Sequence, residues 1–129
     1  MMYNKIVNDF FFAPQHVGTI DLLDPLVVCF RSNREHCSVV IELYIQCNNK
    51  GLITKACFKT NGNPYVIACL EWLCRQMIDK EIDKLPCFNY QLLMKELEIP
   101  TSQYPVTLQI EEAGKEALLL MKKKLEDYE

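Results

Sequence analysis

The chain has no CxxC pair, although seven of its 129 residues are cysteine. They stand at Cys29, Cys37, Cys47, Cys57, Cys69, Cys74 and Cys87, and neither of the two histidines has zinc-finger spacing from a cysteine pair. No apolar run approaches the roughly 20 residues that span a bilayer. The opening MMYNKIVNDFFFAP is interrupted by Asn8 and Asp9, and no small-residue cleavage site follows, so it does not read as a signal peptide. Without an export signal a disulfide framework is not expected. Most of the cysteines read as small buried apolar residues in a reducing cytoplasm. No stretch is basic enough to neutralise a run of phosphates, and the formal net charge is -3, which disfavours general nucleic-acid binding. A phosphate-cradling glycine loop, a nucleophile elbow and a His-Glu metalloprotease string are all missing, so no enzyme is expected.

What is present is ordinary globular material: half the residues are apolar and 24% are charged. The length suits a single domain, residues 1–129. In residues 4–12, Ile6, Val7, Phe10 and Phe11 recur at helical spacing, and Pro14 should end that helix. LVVCF at 26–30 reads as a strand. SVVIELYIQC at 38–47 is a clearer one, with Ile41, Leu43, Ile45 and Cys47 on one face and Glu42, Tyr44 and Gln46 on the other. Asn48-Asn49-Lys50-Gly51 is turn chemistry, and residues 52–60 form the return strand of a hairpin.

After the Asn61-Gly62-Asn63-Pro64 breaker, residues 65–78 are apolar nearly all round, which predicts a helix buried on most sides. Residues 79–88 form a connector, and 89–98 predict another helix that stops before Pro100. The last helix should start near Pro105, with Thr101 or Ser102 shaping its entry. Its apolar positions include Val106, Ile110, Ala113, Ala117 and Met121, and Lys122, Lys123 and Lys124 lie where the macrodipole favours cations. Strands followed by helices argue an α+β fold, a three-stranded antiparallel sheet with helices packed on one face.

Several strings, in this order, resemble the U-type iron–sulfur cluster scaffolds, the IscU and NifU N-terminal family. They are Tyr3, the run Pro14-Gln-His-Val17-Gly18-Thr-Ile-Asp21, Cys37, Lys50-Gly51-Leu-Ile, Phe58-Lys59-Thr60-Asn-Gly62 and Glu96-Leu97-Glu98-Ile99-Pro100. The resemblance spans essentially the whole chain. It implies a [2Fe–2S] cluster, or zinc in its place, held by three cysteines with an aspartate and a histidine assisting. Only Cys37 matches that set; Val39 stands at the aspartate position, Asn63 at the second cysteine, Pro105 at the histidine and Val106 at the third cysteine. Valine and proline side chains offer no lone pair, and an asparagine oxygen is a poor ligand for cluster iron. The string resembling the Hsp70-type chaperone motif reads Ile99-Pro100-Thr101-Ser102-Gln103, and Ser38 and Pro64 replace flexible glycines beside the first two ligand positions.

The expectation is therefore a family member without a bound cofactor: a protein-binding or regulatory module, directed toward a cysteine desulfurase or another complex, with self-association open. The alternative is a [2Fe–2S] or zinc site that joins Cys37 to non-family ligands. His36 beside Cys37 could activate the thiol, but neighbours on a strand point to opposite faces. Cys69 and Cys74, five apart on a helix, do not share a face, whereas Cys47 and Cys57 on paired strands are candidates for proximity. The resemblance implies that Tyr3 and the first helix belong to the surface that meets the desulfurase, and since Phe10, Phe11 and Phe12 cannot all face one core, these four form a candidate partner surface. Glu111, Glu112 and Lys115 read as a solvated helical face.

Overall fold

The computed structural model describes residues 5–33, 38–85 and 88–128. The first helix, α1 (Lys5–Phe12), stops two residues before Pro14. Three strands follow, β1 (Val27–Asn33), β2 (Val40–Cys47) and β3 (Ile53–Thr60), and pair antiparallel in the order β1-β2-β3. Helices α2 (Pro64–Met77), α3 (Tyr90–Glu96) and α4 (Tyr104–Tyr128) complete the fold, with short 3-10 turns at Ile82–Lys84 and Thr101–Gln103. No helix among the described residues is long and apolar enough to cross a membrane.

Alternation in β2 sets the layers. Leu43 lies opposite Phe30 and Phe58, and Ile45 opposite Val28 and Ala56, giving one apolar sheet face. Helix α2 covers it at β3 and α4 covers it at β1 and β2. Val66, Leu70, Leu73 and Met77 of α2, and Val106, Ile110, Ala113, Ala117 and Met121 of α4, fill the space between. All five apolar positions expected on the last helix are buried. The other sheet face carries Arg31, Glu42 and Lys59 and is largely open. Tyr44 on that face is nonetheless buried, its hydroxyl donating to Glu42 at 3.0 Å.

The hairpin turn follows its chemistry. Gly51 takes φ +84°, a region that penalises a Cβ, and Asn48 Oδ1 accepts from the backbone of Lys50 and Leu52. The Pro14–Gly18 segment runs beside β3, where Phe58 donates to His16 O and Gly18 donates to Phe58 O, each at 2.9 Å. Sequence pattern does not reveal that pairing, because the segment is too short and too polar to alternate.

Phe58 is 1% exposed and packed at the centre of the sheet's apolar face. Phe58→Ala is expected to destabilise the fold by about 3–5 kcal/mol through lost burial and an unfilled cavity. A urea titration followed by circular dichroism measures it; a loss under about 1 kcal/mol would mean that β3 is not clamped between β2 and α2.

Candidate functional site

Of the residues singled out by sequence, Val39, Asn63, Pro105 and Val106 lie near the entry to α4. Gln109, fully buried on that helix, donates through Nε2 to Val39 O at 2.9 Å. Asn63 donates through Nδ2 to Gln103 Oε1 at 3.0 Å. Val106, in the first turn of α4, lies three residues before Gln109 and so neighbours it on the helix surface. Val39, Asn63 and Val106 are thus gathered around the first turns of α4, as one site requires. Tyr3, His36, Cys37 and Cys87 lie outside the described residues.

Each gathered residue has a structural role. Val39 packs against the core, and Val106 is 7% exposed within it. Pro105 occupies the second position of α4, where a missing N–H breaks no helical bond. Asn63 caps α2: its Oδ1 accepts from Val66 N at 3.1 Å, and Pro64 follows in the first turn. Both polar ends of the Asn63 side chain are therefore engaged. Gly62 permits this close approach, since a Cβ there would lie 2.6 Å from the Val66 side chain.

Asn61 extends the stitching, accepting from Val40 N at 2.8 Å and donating to Ser38 O at 3.0 Å. Four side-chain amides, those of Asn61, Asn63, Gln103 and Gln109, thus tie together the start of β2, the end of β3, the start of α2 and the entry to α4. Sequence reading picked out Asn63 and Gln103 as replacements but gave Asn61 and Gln109 no role. A glutamine sharing the apolar stripe of Val106, Ile110 and Ala113 was the available signal.

Val39, Pro105 and Val106 have no side-chain lone pair, and the carbonyl of Asn63 is already an acceptor. Among the described residues no group of three or more His, Cys, Asp or Glu side chains is placed to hold an ion. The proximity expected for Cys47 and Cys57 is corrected by register. Cys47 lies opposite Ile53 and Cys57 opposite Tyr44, which places the two thiols on opposite sheet faces. Burial pushes the Cys47 thiol up to about 11 and Cys69 up to about 12, and raises Cys74 further above its ordinary value. Such thiols are neutral at physiological pH and poor nucleophiles.

Two more expectations need correction. Phe10 does not belong to an exposed aromatic patch: it packs toward the core with the Arg75 guanidinium 4.2 Å above its ring. Phe12 is 77% exposed and meets the half-buried Phe11 edge-on at 4.9 Å, so of the three phenylalanines Phe12 is the outward one. Ile6, counted on the inner face, also points outward. Glu111 is not part of a solvated face. It accepts from Tyr90 N at 2.7 Å and from Lys115 Nζ at 3.3 Å, binding the start of α3 to α4.

A three-stranded antiparallel sheet backed by helices defines an α+β domain. The chain belongs to the family described as the NifU-like N terminal domain, which matches residues 2–127. It is 30% identical over 124 residues to the iron-sulfur cluster assembly scaffold protein IscU of Buchnera aphidicola subsp. Acyrthosiphon pisum, covering 96% of this chain and 98% of that one. It is 29% identical over 126 residues to the Escherichia coli K12 protein of that name, covering 98% of each. The crystal structure of a nitrogen-fixing NifU-like protein (N-terminal) from Brucella abortus superposes with a TM-score of 0.70 over 94% of both chains, at 15% identity, and shares the fold.

Proposed function

We propose that this chain serves iron–sulfur cluster assembly as a protein-binding or regulatory module of the scaffold family, without carrying a cluster on the family's own ligand positions. The observation that supports this is the amide stitching at the entry to α4. Where thiolates and a carboxylate would be needed, Asn63 caps a helix, Val39 and Val106 are packed, and Pro105 starts a helix. A partner such as a cysteine desulfurase would meet the outward side of α1, where Phe12 stands against the edge of the half-buried Phe11.

Family membership favours a second reading. The relatives reported above are named scaffolds over nearly their whole length. On this reading Cys37 carries a [2Fe–2S] cluster or zinc with ligands from another cysteine, a second copy or a partner. Purification without a metal-chelating tag, then anaerobic measurement of iron, zinc and acid-labile sulfide, separates the two. The first reading expects well under about one metal or cluster per several chains, unchanged in Cys37→Ser. A near-stoichiometric metal or cluster lost in Cys37→Ser would establish the second reading and end the first.

A further inference from the structure

The fourteen-residue apolar helix α2 contains one carboxylate, Glu71, and its side chain is 0% exposed. Four donors converge on it. Oε1 accepts from Gln15 N and His16 N, each at 2.9 Å. Oε2 lies 2.6 Å from His16 Nδ1 and accepts from Arg75 Nε at 2.6 Å. Every one of these donors bears on the N-terminal segment. Gln15 and His16 belong to it, and Arg75 lies over the ring of Phe10.

The segment's other attachments are few. Helix α1 packs chiefly on α2 and buries Val7 completely, while Ile6 and Phe12 face outward. Beyond it, the ribbon at His16–Gly18 holds the edge of β3 through the two Phe58 backbone bonds. Neither the β1–β2 nor the β2–β3 ladder depends on this segment, and α2 keeps its own buried contacts with β3 and α4.

We propose that the Glu71 carboxylate is a latch that holds residues 5–18 as a separately releasable unit against the body of the fold. Closed, it fixes the direction of α1 and covers the edge of β3 at Phe58. Open, it frees the Arg75 guanidinium from Phe10, lets α1 leave α2, and bares an edge strand to pairing. The device stands on the hydrogen-bond geometry alone and is independent of whether the chain holds a cluster.

Hydrogen exchange of the full chain, read by mass spectrometry at neutral pH, tests it with Glu71→Gln. Glutamine keeps the shape but loses the charge, and must turn an N–H₂ toward a donor. Amides in residues 7–18 are expected to exchange about tenfold faster or more, and to stay less protected than those of β2, which open only with the whole fold. Residues 7–18 as strongly protected as β2, or no acceleration in residues 7–18, would overturn the latch. If Glu71→Gln fails to fold by circular dichroism, His16→Ala and Arg75→Ala, which act from the accessible side, decide the matter. Faster exchange of residues 7–18, at protection below that of β2, supports the latch, and protection equal to that of β2 or unchanged exchange rejects it.

Discussion

The triple variant Val39→Asp, Asn63→Cys and Val106→Cys is expected to bind about one [2Fe–2S] cluster per chain after anaerobic reconstitution, where the parent chain binds little. The expectation rests on placement. Gln109 fixes the backbone at Val39, Gln103 in the turn before α4 holds Asn63, and Val106 lies between those two glutamines in sequence, in the first turn of α4. Three thiolates and one carboxylate complete a ligand set only if Cys37 also faces this cluster of positions, so the same variant carrying Cys37→Ser should lose the cluster. The substitutions have a cost: Asn63→Cys removes the α2 cap, about 1 kcal/mol, and Val106→Cys disturbs a buried contact. Stability should therefore fall without metal and recover when the cluster binds. Visible absorbance together with iron and sulfide per chain measures occupancy. A folded triple variant that takes up no cluster would show that more than missing ligands separates this chain from a working scaffold. Equal uptake by the parent would show that its cysteines already build a site elsewhere.

The elements were legible because their periods are clean. The alternation from Ile41 to Cys47 gave β2 and its inner face, and the stripe from Val106 to Met121 gave the buried side of α4. The positions gathered around the entry to α4 were also legible, but through resemblance, since no spacing rule brings Val39, Asn63 and Val106 together. What escaped was the set of side-chain bonds across sequence distances that local pattern cannot see. Glu111 looks like one of several surface carboxylates until the start of α3 is placed against α4. Phe10 looks exchangeable with Phe11 and Phe12 until Arg75 covers its ring. The idea of a Cys47–Cys57 pair failed on register: pairing says only that two strands are adjacent, whereas face depends on an odd or even offset, here complicated by the irregularity at Gln46 and Cys47. A lone charge inside an all-apolar helix was the one sequence sign of Glu71, and it pointed to burial with partners rather than to a named function.

Glu71 should also govern how stability responds to acid. Burial alone would raise its pKa, but the hydrogen bonds from Arg75 and His16 outweigh that effect and hold the carboxyl below its ordinary value. A carboxylate whose folded pKa is depressed contributes stability that is fully present above the unfolded value. That contribution disappears as pH falls through the folded value. Glu71→Gln, which cannot ionise, is therefore expected to be about 2 kcal/mol less stable than the parent at neutral pH. The gap should stay nearly constant above the ordinary carboxyl range and close as pH falls through the depressed folded value, where the parent carboxyl takes up its proton and comes to resemble the amide. Urea titrations of both proteins at matched pH values read the difference directly. A gap that persists unchanged into the acid range would mean that shape at position 71, and not charge, supplies the stabilisation. A gap that widens on acidification would reverse the sign of the linkage and remove the charged latch as its cause.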